Sequence, residues 1–102
     1  MKEIINRISK TFENKARLGI MSALMVNDSL DFNGLKELLD LTDGNLSSNL
    51  SVLEELKYVA ITKEFVGKKT RTTATLTKAG KAAFEKHLKA LEELILNSKF
   101  RQ

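Results

Sequence analysis

The sequence predicts a mainly α-helical fold with one small β-hairpin, an α+β class. Three observations point there. Apolar residues recur at helical spacing over most of the chain, as in Leu46-Leu50-Leu53-Leu56 and Phe84-Leu88-Leu91-Ile95. Between Tyr58 and Leu76 the composition turns β-branched and threonine-rich around Gly67. Proline is absent, so no helix is interrupted by one.

The 102 residues suit a single domain, 1–102, with one modest core. Its expected parts are N-terminal helices (1–27), a helical pair (33–57), a hairpin (58–76) and a C-terminal helix (77–97). Hydrophobic residues at 42% and charged residues at 29% exclude a disordered or collagen-like chain. No apolar run reaches the ~18 residues of a membrane span, so no membrane association is expected. The opening Met1-Lys2-Glu3-Ile4-Ile5-Asn6 lacks a signal-peptide pattern, which suggests a cytoplasmic location. With no cysteine and one histidine, neither a disulfide framework nor a thiolate or His-rich metal site is expected. No cofactor is implied.

Each element follows from local pattern. Ile4, Ile8 and Phe12, with Ile5 beside the first, form a short amphipathic helical stripe. Asn14 to Val26 is helical by period but apolar on two faces. Leu18, Met21 and Met25 make one stripe; Ala16, Ile20 and Ala23 make the other. A two-faced helix is buried on both sides, which suggests a partner chain against one of them. Asn27-Asp28-Ser29 stops it. After a short extended Leu30-Asp31-Phe32, Asn33 is placed to cap a helix that buries Leu35, Leu38 and Leu39 and ends near Asp40. Thr42 caps the next helix, with Asp43 at its positive end and Leu46, Leu50, Leu53 and Leu56 inward. Thr77 caps a last helix of about 20 residues whose stripe is Phe84, Leu88, Leu91 and Ile95, widened by Ala83 and Leu94. His87, at the edge of that stripe, reads as a packing residue.

Two helices joined by three or four residues, the second capped and polar outward, form a helix-turn-helix layout. Gly44, Ser47, Ser48 and Ser51 lie opposite the leucine stripe, with Asn45 on the flank. Solvent faces usually carry better helix formers. A small polar face instead suits close approach to a groove and hydrogen bonds to base edges or phosphates. The hairpin that follows is then a wing, with Lys68, Lys69 and Arg71 near its tip and Thr70, Thr72 and Thr73 as hydroxyl donors. Charge supports this. Lys57 to Lys81 holds seven basic residues against Glu64 alone, a net of +6, whereas the other residues carry 10 basic and 12 acidic groups, a net of −2.

The stretch from Asp31 to Phe84, with LTDGNLSSNLSVLE, the wing FVGKKTRTTATLT and the closing LTKAG, resembles small winged-helix transcriptional regulators related to the MarR and ArsR families. The resemblance implies a homodimer on double-stranded DNA, with the second helix of the pair in the major groove and the wing on the flanking backbone. By position it makes Asp43, Gly44, Asn45, Ser47, Ser48 and Ser51 the groove-facing set and Lys68, Lys69, Arg71 and Thr72 the wing contacts. It implies a dimer interface from the outer helices, to which we assign Ile4, Ile8, Phe12, Ile20, Leu88, Leu91 and Ile95. Three positions depart from the pattern. Asn49 stands where histidine is common, Ser51 where a basic residue is frequent, and Lys57 where glycine usually ends the helix. The chain is shorter than drug-sensing MarR proteins and lacks the cysteine and histidine sets of metal-sensing ArsR proteins. No effector class is therefore implied.

Two other function classes compete. A winged helix can serve as a protein-interaction or assembly module, but the outer face shows none of the aromatic or arginine anchors of protein interfaces. An enzyme would need a nucleophile–base pair, a G-x-x-x-x-G-K-[ST] loop or a metal triad, and the sequence has none. RNA recognition would call for exposed stacking aromatics, whereas most of the five Phe and one Tyr occupy apolar-stripe positions.

Overall fold

In a computed structural model, residues 1–99 are described; the expected domain limit of 102 runs three residues further. The helices are α1 (Lys2–Asn6), α2 (Lys15–Met25), α3 (Phe32–Leu39), α4 (Asp43–Glu55) and α5 (Lys78–Leu96). A 3₁₀ turn spans Lys10–Glu13. The strands β1 (Leu30–Asp31), β2 (Val59–Val66) and β3 (Lys69–Leu76) form an antiparallel sheet in the order β1-β3-β2. The α+β winged-helix class is as expected, with a short third strand added to the hairpin.

Side-chain caps set four helix starts. Asn14, Asp31, Thr42 and Thr77 each accept from the backbone N–H three residues on, at 3.0, 2.7, 3.1 and 2.9 Å. Thr42 and Thr77 match expectation, but Asp31 replaces Asn33 as the cap of α3. Asp31 ends β1 in extended conformation, which presents its carboxylate to the Gly34 N–H and starts the helix earlier.

The expected N-terminal helix is broken between Asn6 and Lys10. The Ser9 N–H leaves the helical pattern to donate to His87 Nδ1 at 3.0 Å, and Arg7 pairs with Glu93 of α5. Tertiary partners therefore replace local helical bonds. Phe12, which follows the break, is driven into the core, where its ring meets Phe84 edge-on at 5.2 Å.

The two apolar faces of α2 also have a different cause from the one expected. Ile20 and Met21, on opposite stripes, are both fully buried. The helix is the central one, packed by α3, α4, α5, β3 and the 3₁₀ turn. Its own domain buries residues of both stripes, with Leu18 left 36% exposed. Two further corrections concern exposure: Leu38 lies 61% exposed and Leu56 43% exposed, so the inward leucines reduce to Leu35, Leu46, Leu50 and Leu53, with Leu39 half-buried.

Candidate nucleic-acid interface

The core leucines orient α4. With Leu46, Leu50 and Leu53 anchored inward, Asp43, Gly44, Asn45, Ser47, Ser48 and Ser51 are all exposed along one side. A Cβ at Gly44 would meet nothing within 4 Å, so packing does not demand glycine there. Gly in a helix costs about 1 kcal/mol relative to Ala. That cost at an unconstrained position fits a surface shaped for close approach by something outside the chain. Lys36 of α3 pairs with Asp43 at 2.8 Å and offsets its negative charge at the helix start.

Asn49 lies on the other side of α4, buried. Its Oδ1 accepts from Arg17 Nη1 at 2.9 Å, and its Nδ2 donates to the backbone O and Oδ1 of Asn45, both at 2.9 Å. Arg17 Nε in turn donates to the Thr11 carbonyl at 2.8 Å. This bracket between α2 and α4 positions the exposed face without belonging to it. The sequence offered one signal, asparagine at a turn-spaced inward position, and Arg17 had none.

The wing is longer and tighter than its sequence suggests. Pairing continues out to Val66↔Lys69, leaving only Gly67 and Lys68 in the turn. Gly67 has φ +67°, the left-handed value that a two-residue hairpin of the II′ kind places at its first position. Lys68 and Lys69 are exposed at this tip. Strand alternation puts Lys69 and Arg71 on one face and Thr72 on the core-side face with Ala74, where Thr72 is half-buried.

Arg71 is not free as expected. Its Nε faces Asp31 Oδ2 at 3.5 Å, and Glu64 stands directly across the ribbon. Asp31 thus holds the start of α3 with one oxygen and the wing with the other. Lys63, Lys68 and Lys69 carry wing charge with no carboxylate pairing among the described residues, and Arg71 shares its charge with Asp31.

The residues assigned to a dimer interface divide. Phe12 and Ile20 are 1% and 0% exposed in their own core, so they leave the set. Ile4, Ile8 and Leu91 are half-buried, and Leu88 and Ile95 are 41% and 75% exposed along α5. Ile5 of α1, which the sequence set beside Ile4, is also exposed, as is Leu96 near the end of α5, which it did not single out. Among the described residues no helix is long and apolar enough to cross a membrane.

Comparison with known proteins agrees with this geometry. Residues 16–95 match the family model of the winged helix DNA-binding domain. An uncharacterized protein of Methanocaldococcus jannaschii is 34% identical over 88 residues, 86% of this chain and 96% of that protein. The solved structure of a transcriptional regulator homologue from Pyrococcus horikoshii superposes with a TM-score of 0.83 at 32% identity, covering 97% of this chain and 96% of that one. The fold is also that of MepR from S. aureus, solved as a DNA complex, with a TM-score of 0.71 at 20% identity over 92% of this chain and 80% of that one. The chain belongs to the winged helix DNA-binding domain family.

Proposed function

We propose that the protein is a homodimeric transcriptional regulator that binds double-stranded DNA sequence-specifically. The observation that carries the proposal is the exposed Gly44-Ser47-Ser48-Ser51 side of α4 beside a lysine-tipped wing. The α4 face enters the major groove, where Asn45, Ser47, Ser48 and Ser51 reach base edges and phosphates and Gly44 permits close approach. Lys68 and Lys69 lie along the flanking backbone. Thr72 and Arg71 contribute from the wing's base, and Asp43 positions Lys36.

Two measures of shape favour a dimer. The accessible surface is 7533 Å², against about 5,800 Å² for a compact monomer of this mass. The radius of gyration is 15.9 Å, against about 13 Å for a compact chain of this length. Along α5, Leu88, Ile95 and Leu96 are exposed, and on α1, which packs on α5, Ile5 is exposed and Ile4 half-buried. Burying that region against a second copy gives two α4 helices related by a two-fold axis.

Selection of bound duplexes from a random pool tests the proposal. A palindromic motif with half-sites about one helical turn apart is the expected result. No enrichment at low salt overturns it.

A further inference from the structure

Phe65 is 80% exposed, the largest exposure of any aromatic side chain among the described residues. Its position explains why nothing in the domain covers it. The last wing residue buried in the core is Ala74, paired with Ile61. Four residues further along β2, Phe65 stands about 14 Å beyond that point at ~3.4 Å per residue. It shares a ribbon face with Lys63, pairs across the strands with Thr70, and sits two positions before the Gly67-Lys68 turn. An apolar ring is thus held out on a two-stranded arm, with Lys63 on its own ribbon face, Lys68 in the turn two positions on, and Lys69 on the opposite face of the tip. A protein groove for a phenylalanine would be apolar, and Lys63 and Lys68 beside the ring would have to be desolvated against it. A surface that is anionic at its edges and apolar within suits the whole arrangement. The minor groove of duplex DNA has this character: phosphates line both rims, and sugar and base-edge atoms form the walls and floor.

We propose that Phe65 is a minor-groove probe. On the DNA-binding reading given above, Lys63 and Lys68 on the ring's side, with Lys69 on the opposite face of the ribbon, hold the phosphate rims while the Phe65 ring packs against sugars and base edges. The contact is apolar, so it adds affinity that does not depend on counterion release. It also makes the flanking sequence matter through groove width and deformability, at positions that α4 does not touch.

The test compares the wild-type protein with Phe65→Ala and Phe65→Thr, the latter keeping high strand propensity without the ring. Affinity for a selected duplex is measured as a function of salt, and flank preference by repeating the selection with each variant. Both variants should bind roughly fivefold to tenfold more weakly per wing. The log–log salt slope should be unchanged, and the half-site motif should remain while preference at the flanks is lost. Wild-type affinity in Phe65→Thr, or an unchanged flank preference, overturns the inference while leaving DNA binding itself intact. A flattened salt slope overturns it too, because the ring would then be acting only by placing the lysines. If the variants bind DNA normally but dissociate as dimers in sedimentation, the ring serves a second copy of the chain and the inference is wrong. Failure of the wild-type protein to bind any duplex would instead remove the regulator reading on which this one rests.

Discussion

Arg17 Nη1 and Asn49 Oδ1 lie 2.9 Å apart, and this bond ties the central helix α2 to the inner side of α4. Asn49 is 8% exposed and spends its amide on Asn45, one of the outward residues. The bracket therefore links core packing to the orientation of the candidate DNA-reading face. A hydrogen bond to a charged group contributes about 1.5–3 kcal/mol, and losing it leaves Arg17 short of one acceptor in a half-buried site. Asn49→Ala is expected to lower the melting temperature by roughly 10 °C, using the usual 4–8 °C per kcal/mol for a domain of this size. It should also relax base preference where Asn45 contacts the groove. Calorimetry and repeated duplex selection read the two effects separately. Unchanged stability would show that Arg17 finds an equivalent partner.

The wing's charges are unequal, which makes the salt dependence of binding informative. Lys69 is exposed at the tip, whereas Arg71 faces Asp31 at 3.5 Å and stands opposite Glu64. Each phosphate neutralised contributes about 0.9 to the slope of log affinity against log salt. Lys69→Ala should flatten the slope by close to one charge per subunit. Arg71→Ala should flatten it by clearly less, because Arg71 already has carboxylate neighbours in the free protein. Titration of a fixed duplex from 50 to 200 mM salt, or about that range, distinguishes the two. Equal losses would mean that Arg71 leaves Asp31 on binding.

Gly80 is forced by packing. A Cβ there would lie 2.0 Å from the Tyr58 carbonyl oxygen, an atom held by the Thr77 N–H at 3.1 Å, while the Thr77 hydroxyl lies 2.7 Å from the neighbouring Lys57 carbonyl. The start of α5 is thereby clamped to the root of β2. Gly80→Ala must push two backbones apart and should cost about 3 kcal/mol or more. Denaturant unfolding measures it, and a loss below about 1 kcal/mol would show that the clamp yields easily.

Much of this was legible in the sequence, and the misses share a cause. The leucine periodicity of α4 as far as Leu53, its Thr42 cap and its small outward face are local patterns that stand as read, and only Leu56 leaves the stripe, at 43% exposed. So does the replacement of a helix-ending glycine by Lys57, which adopts the left-handed φ of 64° that glycine would hold at less cost. Tertiary facts were not legible. Periodicity showed that α2 is apolar on two sides but not that the 3₁₀ turn, α3, α4, α5 and β3 of its own domain pack around it and bury Ile20 and Met21 from opposite stripes. The stripe Ile4-Ile8-Phe12 gave no sign that Ser9 would bond to a histidine 78 residues away, or that Phe12 would enter the core. Counting lysines and arginines placed +6 around the wing but could not assign Arg71 to Asp31.

His87 gives the protein a predictable response to acid. The ring is 4% exposed, lies 5.3 Å from the Phe12 ring and 6.3 Å from that of Phe84, and accepts the Ser9 N–H at Nδ1. An Nδ1 that accepts carries no proton, so the folded state holds the neutral form. Burial pushes the His87 pKa below the ordinary histidine value, with Glu13 opposing the shift only in part. The unfolded chain thus takes up its proton at a higher pH, near 6.5. Stability from this group is complete above that value and is lost as pH falls from there toward the lower folded pKa. The loss should fall on the junction between the N-terminal segment and α5, because protonated His87 can no longer accept from Ser9. At fixed protein concentration, the denaturant midpoint of the wild type should drop between pH 7.5 and about 5.5. His87→Gln, whose amide oxygen can still accept from Ser9, should show a distinctly smaller drop over the same range. Parallel pH profiles for the two proteins would locate the acid sensitivity elsewhere.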